Sequence, residues 1–351
     1  MTHKVIQWST GNVGTYALRA TLRHPELELV GLWVHSEAKA GRDAGELCGE
    51  SPCGVVATQD GDALLALDAD CVIYTATADT RPFEAIADIC RILESGKNVV
   101  SSSVVGLVHP AQMGEDAQSQ LEAACQAGNA SFWTNGIDPG FANDILPLVL
   151  TGLSESWSQV RIQEIVNYAT YNQPEVIFAT MGFGQAMDQT PLLLMPGMLS
   201  VGWGGTIRVL AEGLGVELDE IIDRAESIPT SFEIDTPMGP VEAGTRGAIR
   251  FEVVGVVDGE ERIVVEHVTR MHDDLAPDWP RSDGGYRITI EGVPRMTLHL
   301  EMEDEHGDHA VGGVILTATR LVNAIPAVVA APSRPLTPLD LPLVTGAGLM
   351  R

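Results

Sequence analysis

The chain is short of positive charge. Its 351 residues hold 21 lysines and arginines against 48 aspartates and glutamates, a formal charge of −27. The few cations are scattered and form no basic patch. Such a surface repels phosphodiester backbones and anionic lipid, so neither nucleic acid nor membrane is expected as a partner. Cysteine is scarce and odd in number: Cys48, Cys53, Cys71, Cys90 and Cys125. No pair has metal-ligand spacing. These residues read as free thiols of a reducing compartment, which predicts a cytoplasmic protein without a disulfide frame. Repeats and low-complexity tracts are absent. No Ser-His-Asp pattern stands out, and no metal is expected. The opening MTHKVIQWSTG runs straight into a strand pattern, so no signal peptide is expected. One uncharged run, Gln189 to Ile207, approaches membrane-span length. It is broken by Pro191, Pro196 and four glycines, and reads as a buried core or subunit-interface segment.

What is present is an ordinary globular composition, 45% hydrophobic and long enough for two domains. Up to about residue 140, strand and helix signals alternate. Strands are expected over 4–9, 27–34, 71–75, 98–102 and 131–134. Helices are expected over 15–23, 63–67, 83–95 and 118–127, the last two closed by Gly96 and Gly128. This alternation predicts βαβ units on a parallel sheet. Beyond about residue 150 a strand over 160–169 and helices over 174–183 and 198–214 precede a cluster of strands over 231–235, 248–257, 261–270, 286–291 and 296–302. Asp258-Gly259 is a hairpin turn signal. The expected fold is α/β: an N-terminal Rossmann-type parallel sheet with a C-terminal α+β domain of mostly antiparallel strands. The expected boundaries are 1–143 for dinucleotide binding and 144–311 for substrate and dimerisation. Residues 312–351 are expected to form a helix and tail packing back on the first domain.

The strongest local signal is Gly11-Asn12-Val13-Gly14-Thr15-Tyr16-Ala17, between the first strand and the first helix. The glycines would admit a pyrophosphate to the helix N-terminus, and Ala17 would allow close packing on the sheet. A glycine turn without a ligand is the bland alternative. After the second strand the chain reads His35-Ser36-Glu37-Ala38-Lys39-Ala40-Gly41-Arg42. Ser36 can donate to a 2′-phosphate, and Lys39 and Arg42 can neutralise it, which favours NADP(H). With Glu37 in the acidic role the cofactor would be NAD(H). Thr75, Ala76 and Thr77 after the next strand, and Ser101 at the end of the following one, could line the nicotinamide ribose. Asn135, Asp138, Asn143 and Asp144 surround the Pro139-Gly140 turn and could orient the nicotinamide or substrate, or cap the next helix. His109, Tyr168 and Asp138 are the preferred proton-transfer candidates. Tyr171, Asn172, His267 and His272 are weaker ones.

The strings TGNVG, HSEAKAGRDAGEL, GIDPGFANDILP and RLVNAIPAVVAAPSRPLTPLDLP resemble dihydrodipicolinate-reductase-like proteins, nearest the 2,4-diaminopentanoate dehydrogenase and native amine dehydrogenase group. The resemblance covers both ends and the middle of the chain. It implies a Rossmann domain, a substrate and dimerisation domain, NAD(P)H, and interconversion of a small carbonyl or imine with an amine. Its glycine loop maps to Gly11, Asn12, Val13 and Gly14, and its 2′-phosphate contacts to Ser36, Lys39 and Arg42. It also implies an acidic residue in the loop after the fifth strand, where Val105 and Gly106 stand here. Neither can handle ammonia, which predicts carbonyl reduction with little ammonia dependence unless Glu115, Asp138 or Glu164 supplies the carboxylate. Two other readings remain. One is a catalytically silent nucleotide-binding sensor or scaffold. The other is a hydroxy- or amino-acid dehydrogenase using Arg161, Arg246 or Arg250 for the substrate carboxylate. A homodimer is expected.

Overall fold

The computed structural model describes residues 2–350. In chain order the first elements are β1 (His3–Trp8), α1 (Asn12–Arg23), β2 (Leu27–Trp33), α2 (Ala44–Leu47), β3 (Ala57–Thr58), α3 (Gly61–Leu65), β4 (Cys71–Tyr74), α4 (Pro82–Glu94), β5 (Asn98–Ser101), α5 (Glu115–Gly128) and β6 (Phe132–Thr134). There follow α6 (Ile145–Thr151), β7 (Ser156–Asn167), α7 (Met198–Leu214), β8 (Glu220–Pro229), β9 (Arg246–Val257), β10 (Glu260–Arg270), β11 (Gly285–Val293), β12 (Met296–Glu301), α8 (His309–Val329) and β13 (Pro335–Leu336). The chain divides into two compact units: Met1–Phe141 with Val314–Arg351, and Ala142–Gly313.

The first unit is built on a seven-stranded sheet of order β13-β6-β5-β4-β1-β2-β3, parallel throughout. Its central strands are short apolar runs because both faces are covered. Along β4, Cys71 and Ile73 enter a core shared with Ala318, Leu321 and Ile325 of α8, while Val72 and Tyr74 enter one shared with α4 and α5. From β1 the chain proceeds to β2 and β3 on one side, then returns to β4, β5 and β6 on the other. The topological switch therefore lies between β1 and β4, where open α/β sheets bind ligands at the carboxyl edge.

The second unit carries a six-stranded sheet of order β12-β11-β7-β10-β9-β8, in which only β7 and β10 pair in parallel. One face is the core: Val160, Ile162, Phe251, Val265 and Ile288 pack with Leu199, Ile207 and Leu210 of α7. The uncharged run from Gln189 sends Leu193, Leu199 and Ile207 into this core, while Met195 and Val201 stay exposed. Asp258 and Gly259, both at positive φ (53° and 74°), form the two-residue turn between β9 and β10.

Three expectations are corrected. Residues 231–235 form no strand, only an isolated bridge between Ile234 and Val241. The strand there is β8, whose EIIDRAESIP reads poorly because its outer face bears Arg224 and Glu226 in ion pairs. The segment over 174–183 is a single π-helical turn, Glu175–Thr180, followed by Gly182 at φ 78°. Gly128 does not close α5. It is the last helical residue, and Asn129 takes the left-handed cap at φ 51°. Among the described residues one helix, α8, is long and apolar enough to cross a membrane by length and composition. Its Ala318, Leu321, Val322 and Ile325 are core residues of the first unit.

Candidate functional sites in the two units

In the first unit, the carboxyl edge at the switch point gathers most of the expected cofactor residues. Gly11 is the N-cap of α1, with Asn12, Val13 and Gly14 in the first turn and no acidic side chain there. The helix N-terminus therefore presents N–H groups and the positive dipole end without a competing carboxylate. The two glycines differ. A Cβ on Gly14 would lie 2.6 Å from Thr75 Oγ1 and closer still to the Ser9 carbonyl, so Gly14 brings α1 against β1 and β4. A Cβ on Gly11 would meet no protein atom within 4 Å, and its φ of −70° suits any residue. Gly11 is exposed, so the α1 N-terminus is open on that side.

Thr75 is fixed beside this turn. It accepts from Gln7 Nε2 at 2.9 Å and donates to the Trp8 carbonyl at 3.1 Å. Ala76 and Thr77 follow at the β4 exit, and the Ser103 hydroxyl donates to the Ala76 carbonyl. Ser101, wholly buried, accepts from Ser103 N at 2.9 Å. Lys39 reaches back from the loop after β2: its Nζ donates to the Thr10 carbonyl at 2.8 Å and to Thr10 Oγ1 at 3.1 Å. Ser36 and Arg42 are exposed in the same loop. Next to Arg42, Asp43 accepts from the backbone N–H groups of Gly45, Cys53 and Gly54, and these bonds, that of Cys53 foremost, hold its carboxyl below the usual range.

Asn135 follows β6, and its Oδ1 accepts from Arg320 Nε at 3.0 Å. The Arg320 guanidinium lies over the rings of Trp133 and Phe141, 5.1 and 5.4 Å from their centroids. Sequence reading missed Arg320, since nothing local ties a residue of α8 to the β6 exit. His109 is half-buried after a short 3₁₀ turn in the β5 loop, whose Val105 is 38% exposed. Asp138 precedes Pro139 through a cis peptide. Burial pushes the thiol of Cys90 up to about 11 and that of Cys125 up to about 12.

In the second unit, polar side chains gather on the otherwise apolar face of the sheet. Glu164 stands directly across from Tyr286 on β11 and His267 on β10. Its Oε1 accepts from the Tyr286 hydroxyl at 2.9 Å, its Oε2 from the Tyr168 hydroxyl at 2.9 Å, and His267 Nδ1 lies 2.9 Å from Oε2. The His267 ring stacks on Phe251 at 4.5 Å and meets Trp203 edge-on at 4.6 Å. Tyr168 was a sequence candidate and Glu164 only one of three alternative carboxylates. The available signal was their place on one strand pattern, Glu164 within it and Tyr168 just past its end. The three arginines considered for a substrate carboxylate are otherwise engaged. Arg161 and Arg250 pair with Glu252, Glu266 and Glu226 on the opposite face, and Arg246 donates to the Gly182 and Gln189 carbonyls. A cavity of about 640 Å³ includes Arg270, Arg281 and Arg287, each of which donates to a loop carbonyl.

Residues 141–350 match the 2,4-diaminopentanoate dehydrogenase C-terminal domain. The chain belongs to this family. Within the family it is 45% identical over 350 residues to the amine dehydrogenase of Streptomyces virginiae, covering 98% of this chain and 97% of that one. It is 24% identical to the 2,4-diaminopentanoate dehydrogenase of Acetoanaerobium sticklandii, over 97% of this chain and 93% of the relative. In fold it is similar to the amine dehydrogenase of Mycobacterium smegmatis, with a TM-score of 0.80, 19% identity, and coverage of 98% and 97%. Membership of this family makes the chain an oxidoreductase of the amine dehydrogenase type that uses a nicotinamide cofactor.

Proposed function

We propose that the chain interconverts a small carbonyl compound plus ammonia with the corresponding primary amine, using NADP(H). The 45% identity to a named amine dehydrogenase carries the reaction class. When bound, the nicotinamide supplies the hydride in one direction and accepts it in the other. The chain's own part is to bind, orient and handle protons. Gly11, Asn12, Val13 and Gly14 receive the pyrophosphate at the α1 N-terminus. Thr75, Ala76, Thr77, Ser101 and Asn135 line the nicotinamide end. His109, Asp138 and Tyr168 are the proposed proton-transfer groups.

The preference for NADP(H) rests on Lys39. In a chain with 21 cationic residues, its ammonium is hydrogen-bonded at the residue preceding the glycine turn, with Ser36 and Arg42 in the same loop. A 2′-phosphate there would receive charge-assisted bonds. Changing Lys39 and Arg42 to Ala should weaken NADPH binding by about tenfold or more per lost bond, at about 1.5–3 kcal/mol each, and spare NADH. Fluorescence titration of both cofactors tests this, and equal losses would refute it. NADPH oxidation over a ketone panel, with ammonia added and omitted, tests the reaction itself. No stimulation by ammonia with any ketone would defeat the amination reading.

The chain is further proposed to act as a cytoplasmic homodimer. The helices α6 and α7 meet the inner face of the second unit's sheet, and the outer face carries Arg161, Arg224, Arg250, Glu226 and Glu252 in a continuous ion-pair array. We place the self-association on that face. Light scattering that finds a monomer at micromolar concentration would count against it.

A further inference from the structure

In the first unit, Gln7 is a polar residue where the core calls for an apolar one. Its side chain is wholly buried on β1. It stands in one row with Ile73 of β4 and Val100 of β5, on the face that Val5 shares. Its Nε2 donates to the Ser9 carbonyl at 2.9 Å and to Thr75 Oγ1 at 2.9 Å. Among the described residues nothing donates to its Oε1. The Ser9 carbonyl can only accept, so the amide nitrogen belongs on that side and the two ends cannot be exchanged. A buried acceptor without a donor costs stability, and an apolar side chain of similar size would avoid that cost. Packing alone therefore does not explain a glutamine here.

What the amide holds is the entry to the glycine turn. Ser9 has a φ of 85°, a conformation that a residue with a Cβ adopts at a cost. Its N–H donates to the Trp33 carbonyl at 2.9 Å. Its carbonyl accepts from Gln7 Nε2 and lies 3.3 Å from Thr75 Oγ1. The Ser9 oxygen and Thr75 Oγ1 are also the two atoms that a Cβ on Gly14 would strike. Gln7 thus bonds both atoms against which the first turn of α1 rests. The next residue, Thr10, is held by other side chains, its carbonyl accepting from Lys39 Nζ at 2.8 Å and from the Thr15 hydroxyl at 3.2 Å.

We propose that Gln7 is a positioning residue for the cofactor: its buried amide keeps Ser9 at positive φ and so fixes where the N-terminus of α1 meets the dinucleotide pyrophosphate. This rests on the reading above that the Gly11–Gly14 turn receives the pyrophosphate. Backbone N–H groups bind an anion well only when their direction is set before it arrives. Ser9 stands two residues ahead of Gly11, so a change in its φ swings the whole turn. The pyrophosphate is common to NADPH and NADH. Gln7 therefore acts on both cofactors alike, whereas Lys39 and Arg42 act on NADPH.

The test is a double-mutant cycle on the full chain, read by fluorescence titration with NADPH and NADH. Gln7→Met keeps the volume and removes both donors. It should weaken both cofactors by the same factor, about tenfold, once the costly backbone conformation is no longer imposed. The melting temperature without cofactor should shift by only a few degrees, as for a volume-conserving core exchange. Ser9→Gly is the decisive arm, because glycine takes positive φ unaided. In the Ser9→Gly background, Gln7→Met should weaken either cofactor by less than about twofold, the signature of coupled sites. An equal loss in both backgrounds would show that Gln7 acts by packing alone, and the proposal falls. It falls also if Gln7→Met leaves both affinities unchanged, or if Gln7→Met and Gln7→Leu both fail to fold. Gly11→Ala tests the underlying reading separately. Unchanged affinity there removes the pyrophosphate from this turn and both ideas with it, whereas a loss there without one in Gln7→Met overturns this proposal alone.

Discussion

At the scale of single residues, two glycines of one motif answer to different demands. Gly11→Ala places a methyl in open space on an unstrained backbone, so the variant should fold and lose no more than about 1 kcal/mol, the preference of an N-cap for Gly over Ala. Its NADPH affinity should fall, because the methyl stands where the phosphates approach the helix N-terminus. Gly14→Ala drives a methyl into Thr75 Oγ1 and the Ser9 carbonyl, and should destabilise by about 1–3 kcal/mol, the usual cost of overpacking. Differential scanning fluorimetry with and without NADPH separates the two. If Gly11→Ala melts early and Gly14→Ala does not, the roles are reversed. The motif was legible because its spacing is local. This division of labour was not, since it depends on what lies across from each Cα.

Elements show the same limit at α4 and α5. A Cβ on Gly128 would fall inside the van der Waals shell of the Leu93 carbonyl, so the glycine sets the approach of α5 to the end of α4. Gly128→Ala should therefore cost more than about 1 kcal/mol, while Asn129→Gly, at the left-handed cap, should change stability by only a few tenths. Urea melts of both variants check this, and the opposite order would return the capping role to Gly128. Sequence reading assigned that glycine a local role because capping is a local rule. The helix that made it necessary is about thirty residues away in the chain. The hairpin at Asp258-Gly259 was readable for the converse reason: both positive φ values are required by a two-residue turn whose strands follow at once. The β8 edge was not, because its charges find partners only on neighbouring strands.

The whole molecule is acidic, and its outer-sheet ion pairs make stability depend on pH. Burial pushes the Glu252 carboxyl up, but its bonds to Arg161 and Arg224 outweigh that and hold it below the ordinary range. Glu252 therefore contributes stability that is full above the unfolded carboxylate range and is lost as pH falls through its lowered folded value. Arg161→Met leaves Glu252 with Arg224 alone and the fully buried Glu266 with Arg250 alone, and should cost about 1.5–3 kcal/mol at pH 7 for the lost charged hydrogen bonds. The deficit should shrink below the carboxylate range, where protonation removes the charge that Arg161 stabilised. Chemical denaturation at pH 7 and pH 4 measures both values. A deficit that grows on acidification would contradict this account.

The amino-acid order alone determined the parallel α/β half, the Gly11–Gly14 turn, the β9–β10 hairpin and the family resemblance. Each of these rests on residues a few positions apart: apolar runs, glycines at fixed offsets, a two-residue turn. Only the tertiary structure decided that Lys39 reaches Thr10, that Arg320 holds Asn135, and that Arg161 and Arg250 neutralise buried glutamates. It also decided that Glu164 meets Tyr286 and His267 across the sheet. These pairings join residues 16 to 185 positions apart. Strand register and side-chain reach create them, and neither leaves a local trace in the chain.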